Sequence, residues 1–173
     1  GNQPLPMRMN QFERLQQFAR LQKAPSIKFK DLEAAVSSQI KYNLLPLRVR
    51  ADYMRMTDST ILTNVTALLD KKDLQFQDKE GVSKSIINIY GRITSMSRRV
   101  VNVFEDVVST EVPSELLQQA IKTSSIYQKS IPLPPGTYRL NLVIKDIVGG
   151  NMTNYEMALS VPRYEEEKLA MSS

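Results

Sequence analysis

The segment Leu133-Pro134-Pro135-Gly136-Thr137-Tyr138 stands at the start of a long run of alternating apolar and polar residues. It has the form L-x-P-G-x-Y, the pattern of a tyrosine corner, in which the tyrosine hydroxyl hydrogen-bonds the backbone a few residues upstream. Such a corner fixes the chain where it crosses between the two sheets of a β-sandwich. The segment therefore predicts a structural role for Tyr138 and Gly136. The alternative is an ordinary Pro-Gly turn followed by a strand tyrosine.

Alternation with a period of two continues outward from this segment and predicts a mainly β domain over residues 26–164, an antiparallel β-sandwich of eight strands. One strand is predicted at 36–42, where Val36, Ser38, Ile40 and Tyr42 alternate with their neighbours. Gly149 and Gly150 predict the hairpin turn between the last two strands. The residues predicted to face inward are Leu47, Val49, Ile87, Ile89, Val101, Leu140, Leu142 and Leu159.

The subclass of the sandwich follows from composition. The chain has no Cys and no Trp, so the disulfide and the buried tryptophan of antibody domains are missing. We therefore expect an Ig-like sandwich of the fibronectin-III type. Gly91 falls where a fourth apolar residue of its strand belongs, which predicts a bulge or a close approach of the backbone. Pro113-Ser114-Glu115 predicts one short inserted helix of about three turns, ending near residues 123–125.

The N-terminal region has a different pattern. Residues 1–9 contain two prolines and are predicted to be a linker. Residues 10–25 predict an amphipathic helix, whose proposed docking face consists of Phe12, Leu15, Phe18 and Leu21. This face could pack on the sandwich, on a neighbouring domain, on another protein, on a membrane surface or on a second copy of the chain as a homodimer. Residues 165–173 are predicted to be a charged tail.

Composition excludes many functions in this chain of 173 residues. Without His or Cys, imidazole bases, thiolate nucleophiles and zinc sites with N or S ligands cannot form. No cofactor and no metal site is predicted. Residues 1–30 hold six of the 23 basic residues and one acid, so the other residues carry equal numbers of each sign. The net charge of +5 therefore does not indicate nucleic-acid binding, and no apolar run is long enough to span a membrane.

The strongest candidate for catalysis is the pair Glu105-Asp106. Adjacent strand residues point to opposite faces, so the two carboxylates cannot share a substrate. Glu105 falls on the apolar register of Val101, Val103 and Val107, where a half-buried carboxylate needs a partner such as an arginine. We therefore expect a structural ion pair or a sheet-edge position, and no catalytic residue is predicted.

Long stretches of the chain resemble a known bacterial family. They are residues 11–50, VVNVFEDVVSTEVPSELL (100–117) and PLPPGTYRLNLVIKDIVGG (132–150). These resemble the C-terminal part of large, uncharacterised GWxTD-domain-containing proteins, over residues 10–164. The naming motif needs a Trp and belongs to an upstream domain, so the resemblance implies that this chain is the C-terminal part of a longer protein. Family members generally begin with a secretion signal, which implies a periplasmic, outer-membrane-surface or secreted location.

Two function classes remain open. The first is a non-catalytic accessory or interaction domain, whose partner is the upstream domain of the parent protein or another protein. The alternative is a carbohydrate-binding module, although sugars usually stack on tryptophan and this chain has none. An enzyme ranks third, because so few acid–base groups are present.

Overall fold

The computed structural model describes residues 27–37 and 44–164, in which two antiparallel sheets pack face to face. The predicted β-sandwich is therefore confirmed. Its strands are β1 (Arg48–Arg55), β2 (Ile61–Asp70), β3 (Gln77–Lys79), β4 (Val82–Ser95), β5 (Val100–Pro113), β6 (Ser124–Leu133), β7 (Gly136–Asp146) and β8 (Met152–Val161). Its helices are α1 (Lys30–Ser37) and α2 (Leu117–Ala120), with 3₁₀ turns at Lys71–Asp73 and Ser114–Leu116.

The two sheets differ in size. The three-stranded sheet has the order β1-β2-β6, and the larger sheet has the order β5-β4-β7-β8. The short β3 pairs with the start of β4, while β7 pairs with the rest of β4. Because β6 belongs to one sheet and β7 to the other, the segment between Leu133 and Gly136 is the crossover that the tyrosine-corner pattern predicts.

The main core lies between the sheets and follows the predicted alternation. Ile87, Ile89, Leu140, Leu142 and Leu159 are each at most 2% exposed. The predicted inward residues Leu47 and Val49 are half-buried and pack against the same core. Their neighbours Arg48 and Arg50 are exposed, and Asn88 and Asn141 are half-buried. A slip of one residue would reverse these environments, so the burial fixes the register.

An aromatic ring lies directly over Gly91, in the space that a side chain at this position would need. A Cβ atom built on Gly91 would lie 2.0 Å from Cζ of Phe104, which is the cross-strand partner of Gly91. The ring thus fills the space that an apolar side chain on β4 would occupy, and aromatic rings commonly cover strand glycines in this way. The group that approaches Gly91 is therefore a side chain, and not the bulge or the backbone that the sequence pattern predicts.

The prediction that Val101 faces inward is wrong. Val101 is 37% exposed, and Phe104 and Val108 supply the inward face of β5 instead. Alternation in β5 fits two registers, because both faces of the strand carry apolar residues. Filling the space above Gly91 selects the register with Phe104 inside, and Val103 then packs against α1 on the outer face.

The strand predicted at 36–42 is also wrong where the structure describes it. Val36 lies in α1, and Ser38, Ile40 and Tyr42 lie outside the described residues. Leu32, Ala35 and Val36 have the i, i+3, i+4 spacing of a helix face, and they pack against the larger sheet. The eighth strand is instead the three-residue β3.

The inserted helix exists but is shorter than the three turns predicted. It consists of a 3₁₀ turn followed by the four-residue α2, and Thr123 donates from its backbone N–H to the oxygen of Ala120 where the helix ends. Within residues 27–37 and 44–164, neither helix has the length or the apolar character needed to cross a membrane.

Candidate functional site

Glu105 holds the segment that leads into α1 against the sheet. Its carboxylate accepts hydrogen bonds from the backbone N–H of Lys28, 3.0 Å away, and of Phe29, 2.9 Å away. These groups precede the first turn of a helix, where backbone N–H groups lack partners within the helix and a negative charge is favourable. The expected partner of Glu105 was an arginine, and the observed partner is the backbone.

Two further polar contacts tie α1 to the sheet beneath it. Nζ of Lys145 lies 2.9 Å from Oδ2 of Asp31, and the amide of Asn154 donates to the oxygen of Ala35 at 2.9 Å. Burial alone would raise the pKa of Asp31, but the hydrogen bond and the charge of Lys145 outweigh it and lower that pKa. Beneath the helix, a small apolar cluster consists of Leu32, Ala35, Tyr90 and Val143. The helix therefore forms a third layer of the fold.

Next to α1, the outer face of the larger sheet contains a cavity of about 600 Å³, which we call the arginine cavity. The described residues that line it are Arg92, Thr94, Ser95, Met96, Arg98, Val100, Arg139 and Asn141. Register explains their proximity, since Arg92 is the cross-strand partner of Asn141 and Thr94 is the partner of Arg139. Diagonal neighbours on adjacent strands lie about 7–8 Å apart, so two arginines from different strands share one surface.

The third arginine comes from the hairpin between β4 and β5. Arg98 has a φ of +66°, and the turn is closed by a hydrogen bond of 2.8 Å from Ser95 N–H to the oxygen of Arg99. Its serine hydroxyls are paired as well, with Oγ of Ser95 2.9 Å from Oγ of Ser97. A hairpin with these internal bonds places Arg98 at the rim of the cavity.

The charges that line the arginine cavity are unbalanced. Its described lining contains three arginines and no acid. Arg139 forms an ion pair with Glu156, whereas no carboxylate of the described residues pairs with Arg92 or Arg98. Nε of Arg92 is buried and has no hydrogen-bond partner in the described part of the chain. The buried Tyr90 lies next to Arg92: burial raises the pKa of Tyr90, and the charge of Arg92 opposes that shift.

The predicted tyrosine corner is confirmed. The hydroxyl of Tyr138 donates a hydrogen bond of 2.8 Å to the oxygen of Pro134, four residues upstream. Burial of this side chain raises its pKa. Gly136 has a φ of +154°, which residues with side chains rarely adopt. These two residues shape the crossover between the sheets, which is a structural role.

The predicted hairpin turn at Gly149 and Gly150 is also confirmed, and a buried carboxylate organises it. Gly150 has a φ of +81° and donates to the oxygen of Asp146 at 2.7 Å. The carboxylate of Asp146 accepts from three backbone N–H groups, those of Gln75, Val148 and Gly149, at 2.8–3.1 Å. Asp146 is 0% exposed, so these bonds are what makes its burial tolerable.

Asp106 points to the opposite face of β5 from Glu105, as alternation predicts. It accepts a hydrogen bond from the hydroxyl of Tyr127 and lies 3.5 Å from Nζ of Lys129, both on the other sheet. Burial and the Asp106 carboxylate raise the pKa of Tyr127. Glu105 and Asp106 are therefore separated by the sheet and hold different layers.

The remaining predicted site lies outside the described residues. It is the docking face formed by Phe12, Leu15, Phe18 and Leu21. Sequence reasoning missed the arginine cavity altogether. The signal available was that Arg92 and Arg139 stand at polar positions of strands with buried alternate residues, but their proximity depends on how the strands pair. The described residues contain no group of acidic side chains that could hold a metal ion.

Comparisons with solved structures give weak matches, and the three described below have TM-scores under 0.5. No protein-family model and no curated protein matches the chain. A Bordetella pertussis structure named ApaA matches 72% of this chain and 98% of its own, at 14% identity and a TM-score of 0.47. A Bacteroides fragilis structure named as a β-galactosidase matches 68% of this chain and 16% of its own, at 14% identity and a TM-score of 0.46. A Bacteroides uniformis β-glucuronidase structure matches 69% of this chain and 14% of its own, at 7% identity and a TM-score of 0.43.

Proposed function

We propose that the chain is a non-catalytic accessory and interaction domain of an extracytoplasmic bacterial protein, and that it contacts a protein partner through the edge of β5. One observation carries the proposal. β5 has fourteen residues and, within the described part of the chain, pairs only with β4. Val100, Val101 and Val107 on this strand are 50%, 37% and 56% exposed. A long apolar edge strand is a template onto which an extended segment of another protein can add.

The half-buried and buried carboxylates support a non-catalytic function. Glu105 binds backbone N–H groups, Asp146 binds three of them, and Asp106 binds a tyrosine and a lysine of the other sheet. Acid–base catalysis needs a group that can reach a substrate proton. These three groups instead form contacts that hold loops, helix and sheets together.

The aromatic residues support a protein partner over a sugar. Carbohydrate-binding surfaces present aromatic rings to solvent, but within residues 27–37 and 44–164 only Tyr164 is exposed, at 40%. The other described aromatic side chains belong to the two apolar clusters; they are Phe29, Tyr53, Phe76, Tyr90, Phe104, Tyr127, Tyr138 and Tyr155.

Strand order supports the Ig-like or fibronectin-III-like subclass within this proposal. If β3 is left out and the other strands are lettered A to G in chain order, the sheets read A-B-E and D-C-F-G. Strands B, E and C, F, G then stand where the immunoglobulin fold has them, and the tyrosine corner lies at the E–F crossover. The resemblance to GWxTD-domain-containing proteins supports the extracytoplasmic location and suggests the upstream domain of that family as the partner.

The test is a binding measurement between this chain and the domain that carries the Gly-Trp-x-Thr-Asp motif. Val107→Lys adds a charge to the β5 edge and is expected to weaken binding at least tenfold, because charged edges resist strand addition. Ile126→Lys is the matched control, since Ile126 is 61% exposed on the three-stranded sheet. Equal loss in both variants would contradict the proposal. A glycan that binds the chain with millimolar or tighter affinity would favour the carbohydrate-binding alternative instead.

A further inference from the structure

The strongest unexplained feature of the molecule is the unpartnered donor in the arginine cavity. Nε of Arg92 is buried without a hydrogen-bond partner. A buried donor without an acceptor is unfavourable, and it is more so when it belongs to a charged group. Arginine cannot relieve this by losing its proton, because a guanidinium group stays protonated in proteins. An acceptor supplied from outside the chain would satisfy the donor once the Arg92 side chain turns it toward the cavity that this residue lines.

We propose that the arginine cavity binds a tetrahedral oxyanion, a phosphate or a sulfate group carried by a small molecule. Guanidinium groups present N–H donors in a fixed fork that matches such oxygens. Arg92 and Arg139 approach from two strands, and Arg98 approaches from the hairpin. The volume of about 600 Å³ lies in the usual range of small-molecule sites, about 300–1,000 Å³, and exceeds what an inorganic ion alone would fill.

The neutral lining defines the rest of the ligand. The hydroxyls of Thr94 and Ser95 and the amide of Asn141 can donate further hydrogen bonds to an anion. The side chains of Met96 and Val100, which are 70% and 50% exposed, form an apolar wall on the hairpin side. A ligand with an anionic group and a small apolar part fits this lining. The site shares Val100 with the β5 residues of the proposed function, but its three arginines lie on β4, on β7 and in the hairpin, so phosphate binding and partner binding are tested by different variants.

The test is an NMR titration of the full chain labelled with ¹⁵N, with sodium phosphate and sodium sulfate as probes at constant ionic strength. We expect saturable shifts at the Nε–H of Arg92 and at the amides of Ser95 and Arg98, with millimolar or tighter affinity. Acetate and chloride should give neither, because they lack the tetrahedral set of oxygens. Small, linear shifts that are equal for all four salts would overturn the proposal.

Variants separate recognition by a fork from general attraction by charge. Arg92→Lys keeps the charge but loses the fork, and it is expected to weaken phosphate binding at least tenfold. Arg50→Lys is the matched control, because Arg50 is exposed on the other sheet, where it pairs with Asp52. If Arg92→Lys does not fold, Arg98→Gln on the exposed hairpin serves instead, with at least a threefold loss expected. Unchanged affinity in both cavity variants would overturn the proposal.

The acidic tail of the chain is the competing occupant. Glu165, Glu166 and Glu167 follow the described residues in sequence. If the triple change to Gln shifts the Nε–H signal of Arg92 in the absence of added anion, the cavity serves the chain's own tail and the ligand proposal is overturned. If the signal is unchanged and phosphate binding persists, the proposal stands.

Discussion

The contact between Glu105 and the segment before α1 gives the sharpest test of how the third layer is held. Glu105→Gln keeps the size of the side chain and one acceptor oxygen but removes the charge and the second acceptor. Hydrogen bonds to a charged group contribute about 1.5–3 kcal/mol each when buried. The Lys28 N–H is exposed and can bond water instead, so we expect a loss of about 1–2 kcal/mol.

This loss should appear as local opening of α1. The helix buries mainly Leu32 and Ala35, and full burial of a leucine side chain contributes about 1.5–3 kcal/mol. The helix is thus held by a few kcal/mol, and a loss of about 1.4 kcal/mol raises its undocked population about tenfold. Hydrogen exchange of residues 30–37 should accelerate by that factor, while exchange in β2, which reports opening of the sandwich, should not change.

A matched control lies on the same strand. Glu111→Gln makes the same change in charge, but Glu111 forms only an exposed ion pair with Lys84 at 3.5 Å. Pairs of this kind contribute about 0–1 kcal/mol, so exchange in α1 should be unaffected. If Glu105→Gln leaves α1 protected, or speeds exchange equally in β2 and α1, then Glu105 does not anchor the helix.

Three other predictions concern the sandwich and its pH dependence. Tyr138→Phe should cost about 1 kcal/mol of unfolding free energy in urea. Tyr155→Phe should cost little, because the Tyr155 hydroxyl has no hydrogen bond to another residue of the described ranges. An unchanged midpoint for Tyr138→Phe would contradict a structural corner. Gly91→Ala should lower the free energy of unfolding by about 1–3 kcal/mol, because the added methyl group overpacks against the Phe104 ring. Adding Phe104→Leu should restore part of that stability. If Gly91→Ala leaves stability unchanged, the Phe104 ring can move aside freely. Because the pKa of Asp31 is lowered in the folded state, the contribution of this carboxylate to stability is present above the unfolded pKa of 3.8 and is lost as the pH falls through the folded pKa. The melting temperatures of the wild type and Asp31→Asn should therefore converge below about pH 4. A difference that stays constant with pH would show that the Asp31 charge does not stabilise the fold.

Much of the fold could be predicted from the sequence because one face of most strands is simply buried. In β7, Leu140 and Leu142 alternate with Arg139 and Asn141, and only one register keeps the leucines from water. The corner at Tyr138 is a local motif, so its hydrogen bond needs no knowledge of distant residues. These features are set by neighbours in sequence.

The outer layer could not be predicted in the same way. Once α1 covers the larger sheet, strand β5 has apolar residues on both faces, and alternation alone cannot choose between Val101 and Phe104. The choice depends on Gly91 of another strand, which leaves room for only one ring. The helix itself has eight residues, and over so short a segment the apolar pattern does not distinguish the 3.6-residue period of a helix from the two-residue period of a strand. The arginine cavity likewise depends on strand pairing.

Along β4, the outer face of the larger sheet changes from an apolar region beneath α1 to the positively charged arginine cavity. On β4, Tyr90 packs beneath α1, while Arg92, two residues further on the same face, lines the cavity. On the helix side, Glu105 is bonded to backbone N–H groups and Asp31 to a lysine. The donors of the arginine cavity are therefore not neutralised by the carboxylates nearest to them along β4 and β5. An anion that enters the cavity would meet the donors of Arg92, Arg98 and Arg139.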